Sequence, residues 1–337
     1  MQAATFSLPN ATYPNIDVVG ESSYESQIRA QFGRLARDQD QEIFTEAALI
    51  PEPDNPYDSN AVSVRIGQLV VGYLSRDDAR AYASVLHRVA ASGVQAIVPV
   101  RIWGVERSDY DGRGSRFYSS VRVALPEPHL VLPLNSPPAL PYSILPWGSG
   151  LQVTGEDKHF DVLRSYAGRA ERSLLLVTLT RSTEQKARGG DREFIEVAVD
   201  GQRVGEMSTV SSKHFFALVD HHAAKGLVTA AWGQIKGSAL AAEVVLQAAK
   251  ASEVDDDYLH GSPNVLPSLL PEASSYAVPA AYSGPPRKPA PARARAAAQS
   301  APAAVSTQAA KSGCALVLLA GMATVAGLGA AVNSFLA

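Results

Sequence analysis

Pro51–Leu74 reads PEPDNPYDSNAVSVRIGQLVVGYL, and its two halves predict different things. Asn-Pro favours turn initiation, and Asp, Asn and Ser side chains bond their own backbone nearby, so Asp54-Asn55-Pro56-Tyr57-Asp58-Ser59-Asn60 predicts a polar turn. The next residues alternate, with Val62, Val64 and Ile66 on one face and Ser63 and Arg65 on the other. That period predicts a strand, Gly67-Gln68 a short turn, and Leu69 to Leu74 a returning strand. The whole is a β-hairpin preceded by a loop that sets an aromatic beside a carboxylate.

Three successive stretches carry a family resemblance. Val18-Val19-Gly20-Glu21, then Asn55-Pro56-Tyr57-Asp58-Ser59-Asn60-Ala61-Val62, then Val71-Gly72-Tyr73-Leu74-Ser75-Arg76 resemble the HIRAN domain over roughly residues 14 to 126. The resemblance implies a small OB-like or SH3-like β-barrel that binds nucleic acid. In helicase-like relatives such a barrel captures a free 3′-hydroxyl end of single-stranded DNA. It further implies that Tyr57 and Asp58 contact the terminal sugar and its 3′-hydroxyl, and that Tyr24 stands where the family places an aromatic. Those relatives carry an Arg and two aromatics in the run after V-V-G. Here that run is Ser22-Ser23-Tyr24, so the Arg and one aromatic are absent, and Ser22 and Ser23 remain as hydroxyl donors to a phosphate.

Working outward, the flanks fit a small β-rich domain. Ile16 to Gly20 and Ile43 to Ile50 read as strands, and Ser26 to Arg37 as weakly helical. Ser75 is a helix N-cap with Asp78 three positions on, Ala79, Tyr82, Ala83, Leu86 and Val89 recur at helical spacing, and Gly93 is the stop. Val94 to Trp103 and Phe117 to Leu125 read as further strands.

The same pattern recurs downstream. Val153-Thr154-Gly155-Glu156 echoes Val18-Val19-Gly20-Glu21, Ile195 to Val199 echoes the alternating strand, and Val204-Gly205-Glu206-Met207-Ser208 echoes Val71 to Ser75. Residues 150–250 therefore read as a second, diverged copy of the barrel. His159 takes the place of Tyr24, no Asn-Pro-Tyr-Asp loop is present, and the charged segment Arg181 to Arg192 stands instead. The expected fold class is mainly β with flanking helices: two tandem small barrels, a disordered linker and a single C-terminal transmembrane helix.

The remaining segments follow from composition. Residues 1–13 read as a flexible leader and 127–149 as an extended Pro-rich linker lying along a domain surface. Residues 251–312, rich in Pro, Ala and Ser, read as a disordered tether. Residues 313–335 are almost wholly apolar and long enough to cross a bilayer. Arg287, Lys288, Arg293, Arg295 and Lys311 precede them, which predicts a single-pass anchor with the globular part cytoplasmic.

Charge and cysteine usage narrow the chemistry. The 337 residues carry a formal net charge of −3, so the chain as a whole does not advertise nucleic acid. Residues 14–126 hold twelve Arg, no Lys and fifteen Asp or Glu, again a net of −3. The one cysteine, Cys314, excludes an internal disulfide and a Cys-cluster metal site. No G-x-x-x-x-G-K-[ST] occurs, so neither catalytic residues, a metal site nor a cofactor are expected, and the helicase motor that often accompanies this domain is absent from the chain.

The candidate binding residues are thus Ser22, Ser23, Tyr24, Tyr57, Asp58 and Arg76, with Arg80 near the same helix start. Each also fits a plainer role: Asp58 and Asn60 hold the turn, Tyr24 and Tyr57 pack on the barrel, and Arg76 solvates a helix end beside Asp77 and Asp78. His221-His222 reads as one solvated and one packed histidine. The function expected is a non-enzymatic, membrane-tethered protein that binds single-stranded nucleic acid, with a membrane-anchored protein-interaction module as the alternative and a protein partner possible at the second barrel.

Overall fold

The computed structural model describes residues 4–110, 113–185 and 190–284. Within them two seven-stranded sheets follow one another along the chain. The first comprises β1 (Ala4–Ser7), β2 (Ile16–Asp17), β3 (Asp40–Pro51), β4 (Val62–Ile66), β5 (Leu69–Tyr73), β6 (Val94–Ser108) and β7 (Ser115–Val123). Their order is β2-β7-β6-β3-β4-β5, antiparallel throughout, with β1 added parallel to β6. The second comprises β8 (Tyr142–Ile144), β9 (Gly150–Gln152), β10 (Ser173–Glu184), β11 (Arg192–Val199), β12 (Gln202–Glu206), β13 (Val228–Gly237) and β14 (Ala242–Gln247). Its order is β9-β14-β13-β10-β11-β12, with β8 parallel to β13. Read strand for strand, the two sheets have the same topology.

Each sheet curls until its ends meet, which removes the unpaired edges. Val19, just past β2, bridges to Tyr73 in β5, and Thr154, just past β9, bridges to Glu206 in β12. The two closures demand a residue without a Cβ. At Gly72 a Cβ would lie 2.4 Å from Val18 Cγ1 and 2.8 Å from the Val19 carbonyl oxygen, and at Gly205 2.6 Å from Val153 Cγ1 and 2.7 Å from the Thr154 carbonyl oxygen. A β-bulge precedes each close approach, between Val64 and Arg65 and between Val197 and Ala198.

Among the described residues six α-helices accompany the barrels: α1 (Glu25–Arg29), α2 (Arg76–Ala91), α3 (Phe160–Leu163), α4 (Thr209–Ser212), α5 (Phe216–Ala224) and α6 (Asp256–His260). In α2 the Ser75 hydroxyl accepts from the Asp78 amide at 3.1 Å, and Ala79, Tyr82, Leu86 and Val89 form the buried stripe. Gly93 ends the turn beyond it at φ 74°, a left-handed conformation that favours glycine.

The second barrel has an interior cluster of its own, with Leu175, Val177, Ile195, Val197 and Phe215, but its other face shares a buried junction with the first barrel. Val98, Val100 and Ile102 of the first belong to the same buried cluster as Leu174, Leu176, Ala230 and Trp232 of the second, joined through Leu130, Val131 and Leu132. The Pro-rich connection is the mortar. Asn135 donates to the Leu176 carbonyl at 2.8 Å and accepts from the Leu176 amide at 2.8 Å, and Tyr142–Ile144 within the same segment supplies β8.

Two expectations fail on described residues. The expected flexible leader at 1–13 instead supplies β1, which pairs with β6 while Phe6, Leu8 and Ala11 are buried in the core; a strand this short forms only because β6 offers it an edge. Residues 251–312 are expected to be a disordered tether, yet residues 251–284 run back over both barrels. Leu266 is buried, the Leu266 amide donates to the Tyr142 hydroxyl at 3.1 Å, and Arg88 Nε donates to the Leu270 carbonyl at 2.7 Å. The composition is polar and Pro-rich, but a few apolar side chains and free backbone groups find partners on an existing surface, which composition cannot register. The expected transmembrane helix at 313–335, and its basic flank, lie outside the described residues. Among those that are described, no helix is long and apolar enough to cross a membrane.

Candidate nucleic-acid interface

The site forms where the barrel closes. Gly20, at φ 79°, turns the chain out of the strand region and into a short 3-10 turn, Glu21–Ser23. That turn delivers Tyr24 inward, and its ring is 4% exposed. Across the closure the loop before β4 lies on the other side. The Asn55 side chain accepts from the Tyr57 amide at 3.0 Å, and Asp58 Oδ1 accepts from the Asn60 amide at 2.9 Å. These are the Asx turns that the loop's composition predicts, and they point the Tyr57 ring out, where it is 76% exposed.

Between these parts is an open, mainly apolar cavity of about 290 Å³, lined by Ser23, Tyr24, Tyr57, Asp58, Tyr73 and Arg76 among others. Five of the six sequence candidates therefore meet at one cavity. Ser22 does not join them: it is exposed and does not line the cavity. Asp58 keeps Oδ2 towards Arg76 Nε at 3.7 Å, while the Arg76 side chain remains 77% exposed. Arg80 instead approaches Asp77 at 3.5 Å.

Under the cavity runs a polar chain that sequence reasoning missed. The Tyr24 hydroxyl donates to the Tyr73 hydroxyl at 3.4 Å, and Tyr73 donates to Glu52 Oε2 at 3.1 Å. Glu52 is fully buried. A buried carboxylate needs a partner, and Arg65 Nη2 supplies one at 2.7 Å from Oε1, with Asn55 Nδ2 at 2.9 Å from Oε2. Burial, the Tyr24 hydroxyl and the Glu52 charge push the Tyr73 phenol well above its usual range, so it stays a donor at neutral pH. The signal for Tyr73 stood in the Val71–Leu74 motif. Glu52 and Arg65 lie on the loop and strand of the opening stretch, but nothing local tells that the carboxylate is buried.

The chain's own later segment reaches the same place. Tyr282 lines the cavity. Its amide and that of Ala281 donate to Asp54, at 3.1 and 2.9 Å from Oδ1, and Arg65 Nη2 donates to the Ala281 carbonyl at 2.6 Å. Tyr276 and Tyr282, aromatics in an otherwise aromatic-poor tract, were the available hint.

Residues 22–104 match the HIRAN domain. The match starts after the Val18-Val19-Gly20 run and ends within β6, so it covers the Tyr24 turn, the Tyr57-Asp58 loop, the hairpin and α2. No curated protein and no solved structure matches the chain.

The corresponding corner of the second barrel differs in character. Tyr24 and His159 have nearly the same backbone angles, −122° and 20° against −125° and 20°, and Gly155 repeats the left-handed turn of Gly20. The cavity there, about 630 Å³, is lined by Lys158, His159, Arg192, Phe194, Arg203 and Glu206 among others. Its guanidinium groups are committed. Arg192 binds Glu206 at 2.7 Å and Glu184 at 2.9 Å, Arg203 binds Glu206 at 2.7 Å, and both stack on Phe194. Of the two histidines, His222 is packed: its Nδ1 is 3.0 Å from the Thr229 hydroxyl and its Nε2 3.3 Å from the Tyr258 hydroxyl.

Proposed function

We propose that the protein binds single-stranded nucleic acid at the closure of its first barrel, with the strand end entering the cavity between Tyr24, Tyr57 and Tyr73. The observation that carries this reading is Tyr57. It is a large aromatic side chain held out in solvent by Asx turns, at the mouth of an apolar cavity, within a HIRAN match. An exposed aromatic is a stacking platform for a base, and every base has a π-face to offer. Asp58 Oδ2 accepts from a terminal hydroxyl, and Arg76, at the first position of α2, meets the adjacent phosphate together with the helix N-terminus. The domain's negative charge confines attraction to this corner, so few phosphates are contacted and affinity falls with salt at only a small slope. Fluorescence anisotropy at low salt, comparing an oligonucleotide with a free 3′-hydroxyl with one ending in a 3′-phosphate, tests the reading. Preference for the free end that disappears in Asp58→Asn supports it, and equal affinity for both ends rejects end recognition.

The second barrel is proposed as a diverged copy of the first, supported by the shared strand order and the repeated Gly20/Gly155 and Gly72/Gly205 positions. Among its described residues no exposed aromatic stands where Tyr57 does in the first barrel, and we assign it a role in protein contact or support. The second reading, a protein-interaction module, draws on the capture of a peptide backbone at Ala281 and Tyr282 by Asp54 and Arg65. Recovery of a specific protein on the full chain after nuclease treatment favours it. Catalysis is not part of either reading. The apolar run at residues 313–335 supports a membrane tether for either reading, and fractionation of the full chain against one ending at residue 284 tests it.

A further inference from the structure

We infer that Tyr282 is a binding residue of the first-barrel cavity: the C-terminal segment brings in the second aromatic wall that the barrel's own sequence lacks. The inference rests on the nucleic-acid reading above. The run Ser22-Ser23-Tyr24 offers one aromatic, and that one is buried against Tyr73. Tyr57 alone is an open platform, against which a base stacks on one face only. Tyr282 lines the same cavity, 228 residues along the chain from its anchor Asp54.

Three features favour a wall over a plug. About 290 Å³ of the cavity stays open with Tyr282 in place. The anchoring contacts hold the backbone outside the cavity: Asp54, which does not line it, takes both the Ala281 and Tyr282 amides, and Arg65 takes the Ala281 carbonyl. Arg65 is itself fixed by Ser63 and the buried Glu52, so the tether is bolted to the barrel's interior. Tyr282 is itself only half-buried and stands in the cavity lining beside Tyr57 and Tyr24. The ligand class is a single nucleobase, or a terminal nucleotide, held between Tyr57 and Tyr282.

The test uses the full chain, with a 5′-fluorescein single-stranded oligothymidylate carrying a free 3′-hydroxyl at low salt. Tyr282→Ala is expected to weaken binding about five-fold or more, the range of a lost base–aromatic stack. Tyr282→Phe should stay within about two-fold of the parent. Asp54→Ala, which removes the acceptor of the Ala281 and Tyr282 amides without touching the cavity lining, should weaken binding in the same direction as Tyr282→Ala. If Tyr57→Ala weakens binding while Tyr282→Ala leaves it unchanged or tightens it, Tyr282 is a bystander or a plug. The inference then falls while the binding reading stands. If the parent chain binds no oligonucleotide, the reading itself falls and the inference with it.

Discussion

Single residues decide most at the cavity floor. Glu52 is fully buried and held by Arg65, Tyr73 and Asn55. Removing one partner of a buried ion pair leaves the other charge uncompensated, at about 3–5 kcal/mol. Arg65→Ala is therefore expected to lower the thermal midpoint strongly and to release the Ala281–Tyr282 segment, whereas Asp58→Asn, in a solvated turn, should leave stability nearly unchanged. Thermal denaturation of the two variants side by side checks this. A second residue sets a pH response. Burial, with His221 and Lys225 nearby, pulls His222 down to about 4 in the folded state, against ~6.5 unfolded. Between those values the unfolded chain binds the proton and the folded chain does not. Stability is thus expected to fall as pH drops from ~6.5 towards 4, and to be flat in this respect above ~6.5. In His222→Gln that part of the slope in denaturant midpoint against pH should vanish. The candidate residues themselves were readable because their chemistry is local: an Asn-Pro-Tyr-Asp loop builds its own Asx turns. Glu52 was not readable, since burial of a carboxylate depends on strands that pack around it, and neither was Tyr282, whose contacts span more than 200 positions.

At the scale of elements, the closure of each barrel rests on a glycine. Gly72→Ala and Gly205→Ala drive a methyl group into the neighbouring backbone and a valine. Overpacking of this kind costs about 1–3 kcal/mol, with a further cost at Gly72, whose φ of 152° suits few other residues. Both variants are expected to be destabilised by urea unfolding, and Gly72→Ala should also reduce oligonucleotide binding, because Val19 and Tyr73 meet at that point. Gly67→Ala, which meets nothing but sits at φ 59°, should cost less and leave binding intact. Hairpin, helix and stop signal were legible in the Pro51–Gly93 region because period-2 and period-3.6 patterns and a Ser cap sit close together there. The short strand β8 was not, since it lies in a Pro-rich segment and exists only because β13 offers it a parallel edge.

For the whole molecule, the buried junction between the barrels sets the behaviour. The two barrels contribute to one buried cluster across Leu130–Leu132, so they are expected to unfold together, in a single calorimetric transition. Leu176→Ala, buried at the junction, should cost about 2–5 kcal/mol and shift that transition without splitting it. Two separate transitions in scanning calorimetry would show that the junction is weak. The same architecture explains why a tract with the composition of a disordered tether is held in place up to residue 284: it finds a ready-made surface over both barrels. The proposed binding site lies at one corner of this assembly, where the first barrel closes, the polar loop projects Tyr57 and the returning segment lays down Tyr282. The most direct test is the affinity of the full chain for a single-stranded oligonucleotide with a free 3′-hydroxyl at low salt, before and after Tyr57→Ala. The account predicts measurable binding that falls about five-fold or more in the variant, with the thermal midpoint unchanged. Equal binding by both proteins, or none by either, would contradict it.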